Sequence, residues 1–405
     1  MIVLGVPSAA AREVTLADCR ALALAGNADL AKAAREIDAA EAAWKRARAF
    51  LNPELSVESE DFGGDLPRWS ESQTTFGLSQ RIEPPGVRSA RMDAASHGRA
   101  LASGELDRAT RDLLCEVDRR FAILLAAQTR AEVLQENVRT GDSLLAAVIA
   151  LVAAGEVSPI EADRARADRS LAEIEALGAS AEERSKQAAL AALWCTERPE
   201  SIRAVASFEG EIPLPARTFA IALPLPSPEA KSADAEAEML KAAARIERRT
   251  RFPSLGLSAG VRRYAATGEK TFAASASLSL PVFDRNGAAI EEAEVRIEQA
   301  RFDRRSVEAR VRQARVVAYE GLQAALAEAE MLRRTVIPDI GRSYEAIHEG
   351  YRLGKFRLID VLDAKRARAD AKLRYVSALE SAAIARADLE QSLGWSLKET
   401  GEGLR

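Results

Sequence analysis

Two periods alternate along the chain. Between Thr271 and Leu280, the residues Phe272, Ala274, Ala276, Leu278 and Leu280 alternate with Ala273, Ser275, Ser277 and Ser279. This is the period of two that sends successive side chains to opposite faces of a strand. Ser254 to Arg263 repeats it, with Leu255, Leu257, Ala259 and Val261 set against Ser254, Gly256, Ser258, Gly260 and Arg262. Earlier in the chain, Leu55 and Val57 alternate with Glu54, Ser56 and Glu58, and Phe76 and Leu78 with Thr75, Gly77 and Ser79. Four strands are predicted, two within about 52–83 and two within about 253–283. Segments of about ten residues with one apolar and one small, polar face fit a transmembrane barrel. They fit a half-buried hairpin on a soluble sheet as well.

Elsewhere the apolar positions recur at threes, fours and sevens. From Val87 to Ala154 there is no proline, and Leu106, Leu113, Val117, Phe121 and Leu124, then Leu134, Val138, Leu145, Val148 and Val152, carry coiled-coil spacing. Such a helix is about 100 Å long at 1.5 Å per residue. A second long helix is expected over Ala288–Leu353, where Pro338 should kink or break it. A shorter one, Leu16 to about Ala49, places Leu22, Leu30, Ile37 and Trp44 on one stripe ahead of the first strands. Helices of this kind, taken alone, also suit a soluble coiled-coil scaffold.

Glycines end the long helices. Gly155-Glu156-Val157-Ser158-Pro159-Ile160-Glu161 reads as a glycine stop, a short turn and a new helix. Ser158 is the expected N-cap, Pro159 the first helical residue and Glu161 the capping-box partner. In the second turn, Leu353-Gly354-Lys355-Phe356-Arg357, Arg357 stands where Ser158 stood, so the cap is not duplicated. Both turns are short and should join antiparallel helices, giving two helical hairpins with tips far from the strands.

The landmarks recur at an offset of about 200 residues: Pro53 and Pro253, Gly86 and Gly287, Gly155 and Gly354, Trp194 and Trp395. A fixed offset of this kind marks a duplicated unit. The expected organisation is a leader at 1–15, a first repeat at 16–211 with its helical hairpin at 87–195, and a Pro-rich linker at 212–228. A second repeat follows at 229–395 with its hairpin at 288–395, then a tail at 396–405. Ile2 to Ala11 reads as the end of a clipped signal, with small residues but no basic start.

Composition narrows the class. Alanine dominates and aromatics are only 5%, which suits long helices. A net charge of −4 offers no basic field for nucleic acid. No apolar run approaches a transmembrane helix, so any insertion must use strands. Four strands cannot close a channel-sized barrel, and lipid tolerates no open sheet edge, so several chains would have to share one. Cys19, Cys115 and Cys195 are widely spaced, with no CxxC pair, and read as small buried apolar residues. His97 and His348 read as surface helix residues rather than metal ligands, and no metal site is expected. There is no phosphate-binding glycine loop, nucleophile elbow or carboxylate–histidine cluster.

Gly354 to Ala364, ending Ile359-Asp360-Val361-Leu362-Asp363-Ala364, resembles the second periplasmic tip of TolC-like outer-membrane efflux proteins, and Gly155 to Arg166 is similar to the first. Asn52-Pro53-Glu54-Leu55, Glu60-Asp61-Phe62-Gly63-Gly64 and Thr74-Thr75-Phe76-Gly77-Leu78-Ser79-Gln80 resemble the heavy-metal, CzcC-like branch that confers cobalt, zinc and cadmium resistance. The resemblance implies a mainly α fold with a small β part: a homotrimer with a twelve-stranded transmembrane barrel in the outer membrane and a helical tunnel in the periplasm. It implies a passive efflux duct and no enzyme, with no catalytic residue and no cofactor. The partners it implies are a periplasmic membrane-fusion adaptor and, through it, an inner-membrane pump of the RND type. Heavy-metal cations are the implied substrate, with drug, small-molecule or protein export the alternative. By position, Asp360, Asp363, Glu161 and Tyr351 match gate residues. Gly155, Glu156, Val157, Leu353, Gly354 and Lys355 match the tips that contact the adaptor. Asp360 and Asp363, three apart, share a helix face, and acids in a first helical turn also complement the helix dipole.

Overall fold

The computed structural model describes residues 12–62, 70–195, 202–206, 214–222 and 227–394. In chain order the elements are β1 (Arg12–Val14), α1 (Leu16–Gly26), α2 (Ala28–Arg48), β2 (Glu54–Glu60), β3 (Gln73–Ile82), α3 (Val87–Ala153), α4 (Pro159–Ala191), β4 (Ile202–Ala204), α5 (Arg217–Ala222), α6 (Pro228–Thr250), β5 (Ser254–Tyr264), β6 (Lys270–Ser279), α7 (Gly287–Met331), α8 (Ile337–Arg352) and α9 (Leu358–Leu393). The fold is mainly helical with a small share of sheet. No helix among the described residues is long and apolar enough to cross a membrane. The chain divides into two compact units. One comprises Met1–Lys32, Asp107–Pro228 and Ala309–Arg405, and the other Ala33–Leu106 and Glu229–Glu308.

The smaller unit carries one antiparallel sheet in the order β2-β3-β5-β6. Its register puts residues of like polarity opposite one another. Val57 faces Phe76, which faces Val261, which faces Phe272. On the other face Ser56, Gly77, Gly260 and Ala273 stand in one row. Because side chains alternate in period two, one face is a continuous apolar surface and the other is small and polar. Small residues are sterically required in that second row: a Cβ on Gly260 would sit 2.5 Å from the Phe76 carbonyl oxygen. The buried apolar residues of this unit's helices are nearly all alanine, including Ala47, Ala90, Ala102, Ala242 and Ala244. Helices held by alanine approach closely and bury little apolar area.

The larger unit is built on bigger side chains. One cluster gathers Val14, Cys19, Leu113, Val117, Phe121, Leu124, Leu190 and Ile202. In it β1 and β4 form a short parallel pair, so Arg12–Val14, within the stretch expected as a leader, is a strand with Val14 in the core. A second cluster packs Leu144 and Val148 of α3 and Ala162 and Ala165 of α4 against Tyr344, Tyr351, Leu358, Val361 and Leu362.

Several expectations need correction. The helix expected over Leu16–Ala49 is two helices, broken at Asn27. Asn27 is extended (φ −73°, ψ 122°), its side chain accepts from the Leu30 N–H at 2.9 Å, and its amide donates to the Leu193 carbonyl at 2.9 Å. An N-cap that also anchors another element stops one helix and starts the next. Pro338 disturbs its helix, as its position predicts, without ending it. The turn at Leu332–Val336 is π-helical, and the Ile337 N–H reaches back to the Leu332 carbonyl. The wider turn absorbs the missing donor and the ring. The proline-rich stretch contains the short helix α5. Cys19 is buried, Cys115 is half-buried, and Cys195 is exposed at a left-handed φ of 51°. Trp395, residues 1–11, Gly63 and Gly64 lie outside the described residues.

Candidate functional site

The two turns that join α3 to α4 and α8 to α9 have the same backbone design. Gly155 and Gly354 hold φ of 75° and 70°, left-handed values that favour glycine because a Cβ would crowd the carbonyl. In the first turn the Gly155 N–H donates to the Val152 carbonyl at 3.0 Å and the Glu156 N–H to the Leu151 carbonyl at 3.0 Å. In the second the Gly354 N–H donates to Tyr351 at 2.9 Å and the Lys355 N–H to Gly350 at 2.8 Å. Each pair satisfies two carbonyls left over at a helix end. Gly350 is glycine for a separate reason: a Cβ there would lie 2.4 Å from Phe356 Cδ2, so the Phe356 ring packs directly on the helix backbone. Glu156, Leu353 and Lys355 are exposed around the turns, as are Ile160 and Phe356, and Val157 is half-buried.

At the starts of α4 and α9 the N-cap is as expected in α4, but the roles of the two acids are exchanged. Ser158 caps α4, accepting from the Ile160 N–H, with Pro159 as the first helical residue. Glu161 is not its capping-box partner; its Oε2 accepts from the Tyr351 hydroxyl at 3.2 Å, across 190 residues of sequence. In α9, where no cap was expected, Asp360 supplies one: its Oδ2 accepts from the Arg357 N–H at 2.9 Å. That backbone N–H is the main reason the Asp360 carboxyl is held below its usual range, with the Arg357 side chain adding to it. The Tyr351 phenol is pushed up to about 12, first by burial and then by the neighbouring Glu161 carboxylate. The structure therefore brings Glu161 and Tyr351 together. Asp360 engages its own turn, and Asp363, on the same helix, is exposed.

Sequence reasoning missed the charged residues that tie these helices together. Asp168 of α4 accepts from Lys365 Nζ at 2.9 Å and from Arg366 Nη2 at 3.0 Å, both on α9. Further along, Glu136 of α3 accepts from Lys372 at 2.7 and 2.9 Å, and Arg368 lies 3.6 Å away. Arg368 also stacks over the Tyr344 ring at 5.1 Å. Nothing in the local spacing marks these residues, because in a chain so rich in charge a buried Asp reads like an exposed one. Among the described residues, no group of three or more His, Cys, Asp or Glu is placed to hold a metal ion.

In the smaller unit the apolar face of the sheet is uncovered. Leu55, Val57, Phe76, Leu78, Phe272 and Leu278 are all exposed, Phe272 to 94%. Exposed apolar surface this continuous calls for an apolar partner.

The sequence profile of the family described as Outer membrane efflux protein matches residues 20–196 and 225–395. The chain is 30% identical over 388 residues to the cobalt-zinc-cadmium resistance protein CzcC of Cupriavidus metallidurans, covering 96% of this chain and 92% of that protein. Among solved structures it resembles the outer-membrane channel OprN, with a TM-score of 0.80 at 18% identity over 94% of this chain and 89% of that one. It also resembles the CmeC outer membrane channel of Campylobacter jejuni, with a TM-score of 0.78 at 17% identity over 96% of this chain and 88% of that one.

Proposed function

We propose that this chain, which belongs to the outer membrane efflux protein family, is the passive exit duct of a tripartite efflux system and conducts heavy-metal cations. The observation that carries this reading is the sheet of β2, β3, β5 and β6. Its apolar face is uncovered and its polar face is lined by small residues, and β2 and β6 stand at its two edges. A hydrocarbon environment suits the first face and a water-filled lumen the second. Open edges in lipid require partners, and three copies sharing one barrel would supply twelve strands. The metal assignment is drawn from the likeness to CzcC. The duct catalyses nothing in this reading, and its energy comes from an RND-type pump reached through a periplasmic adaptor.

The two hairpins α3–α4 and α8–α9 form the tunnel wall of the proposed trimer, and the landmarks they share support a duplicated unit. The tips at Gly155, Glu156, Val157, Leu353, Gly354 and Lys355 meet the adaptor. Asp360 and Asp363 contribute six carboxylates in the trimer around the inner opening, which favours cations. The Tyr351–Glu161 hydrogen bond ties one hairpin to the other beside that opening.

The test is physical. The purified protein should be a trimer by detergent-corrected light scattering and should open cation-preferring channels in planar bilayers. Asp360→Asn with Asp363→Asn should lower the cation preference. A well-folded monomer that never conducts would overturn the duct. Unchanged selectivity in the double variant would remove both aspartates from the pore and leave Asp360 its capping role alone. In a strain lacking its own metal-efflux duct, restored drug resistance without zinc, cobalt or cadmium resistance would overturn the metal assignment.

A further inference from the structure

Positive charge is concentrated at one end of the four-stranded sheet. β2 and β5 begin at that end and β3 and β6 finish there, so all four connections between strand and helix fall together. Within 45–54, 81–91, 247–254 and 280–287 there are ten Lys and Arg against four Asp and Glu. The opposite end differs: among the described residues, 59–62, 70–75 and 262–271 hold three bases against four acids.

The few acids at the basic end are mostly occupied. Glu83 binds Arg91 at 2.6 and 3.0 Å, Glu247 accepts from the Asn286 side chain at 2.7 Å, and Asp284 accepts from the Asn286 N–H at 2.8 Å. Lys45, Arg46, Arg249, Arg251 and Arg285 are exposed and have no carboxylate partner among the described residues. Between them stand bare rings, Phe50 at 75% exposure and Phe283 fully exposed, with Arg88 lying over the Phe50 ring at 4.1 Å. Unpaired guanidinium groups beside exposed aromatic rings, at the rim of an apolar face, match a boundary where hydrocarbon meets charged headgroups. Guanidinium binds phosphate oxygens in a forked geometry, so the complementary partner is an anionic phosphodiester.

We propose that this collar binds the headgroups of anionic glycerophospholipids in the leaflet on the helix side of the sheet. The inference rests on the barrel reading above. It assigns the collar to phospholipid rather than to lipid A of the other leaflet, because the described residues at the far end of the sheet carry no excess of bases.

The full-length protein, purified in detergent, is incubated with equal amounts of dioleoylphosphatidylglycerol and dioleoylphosphatidylcholine, and bound lipid is counted by native mass spectrometry. Phosphatidylglycerol should be retained by about fivefold or more, with the preference weakened by high salt. Arg46→Gln with Arg249→Gln, Arg251→Gln and Arg285→Gln should reduce the preference to about twofold or less. Arg263→Gln with Lys270→Gln, at the other end, should leave it unchanged. Flotation with phosphatidylcholine vesicles reports insertion separately. A protein that inserts but retains both lipids equally overturns the collar and leaves the barrel standing. A protein that inserts into no vesicle overturns both. Lipid A displacing phosphatidylglycerol from the same arginines would overturn the choice of glycerophospholipid.

Discussion

Lys365 Nζ lies 2.9 Å from Asp168 Oδ2 with both side chains almost wholly buried, at 4% and 6% exposure. Arg366 takes the other carboxylate oxygen, so each oxygen of Asp168 has its own cation. Room for the ammonium comes from α3, where a Cβ on Gly141 would come within 3.3 Å of Lys365 Nζ. The next residue on α4, Arg169, binds Asp142 of α3 at 2.8 Å. Adjacent residues on one helix thus hold it to its own hairpin and to the other.

Removing one partner of such a pair should be costly, because it leaves the other charge buried and unpaired. Asp168→Ala is expected to lose about 3–5 kcal/mol in denaturant unfolding of the detergent-solubilised protein. Asp168→Leu with Lys365→Met should recover most of that loss, since Arg366 is half exposed and can be solvated. A single-variant loss below about 1 kcal/mol would show that the pair is not dry.

Tyr351→Phe removes the hydroxyl that donates to Glu161 and should cost about 1 kcal/mol. It should also change the alkaline limb of stability. The folded-state pKa of Tyr351, about 12, lies above its ordinary 10.0. Its contribution is therefore complete below pH 10 and is lost as pH rises through about 12. The phenylalanine variant should lack that component when unfolding is followed across this range, and an identical alkaline loss in both proteins would count against it.

Asp360 works in the opposite direction. Its folded-state pKa is lowered from 3.8 by the Arg357 N–H, so its contribution is present above that value and is lost as pH falls through the folded value. Asp360→Asn should fray the first turn of α9 at neutral pH and flatten the acid loss there. Hydrogen exchange at the Arg357 amide reads this locally, and protection equal to that of the native protein would remove the capping role.

At the turns, Gly354→Ala should cost about 1–2 kcal/mol because φ is left-handed. Gly350→Ala should cost about 1–3 kcal/mol by driving Phe356 off the helix. Gly354→Pro, or a bulky residue at Gly155, should leave trimer and conductance intact while abolishing crosslinking to the adaptor. Full resistance together with retained crosslinking would show that the adaptor meets another surface.

The four strands of the antiparallel sheet and the glycine stops were legible in the sequence because the physics that makes them is local. Alternation between Thr271 and Leu280 needs only the period of the pleat, and Gly155 and Gly354 need only a left-handed residue where a helix ends. Leu16–Ala49 misled because its apolar stripe continues through Asn27, where a local cap on the Leu30 N–H and the Leu193 carbonyl, supplied from elsewhere in the chain, together make a boundary.

By itself the sequence determined the four strands of the larger sheet, the apolar face of each, and the long helices with their glycine stops, since side-chain period and helix-stopping residues act over a few positions. Only the tertiary structure decided what the charged residues do. Glu161 satisfies the short-range rule for a capping box and yet accepts from Tyr351, and Asp360, placed after a poor N-cap, becomes the cap. Asp168 is one acid among 61 Asp and Glu until packing of α4 on α9 buries it against Lys365. Electrostatic partners are chosen by distance in space and by loss of water, and neither is written in the spacing of residues along a helix.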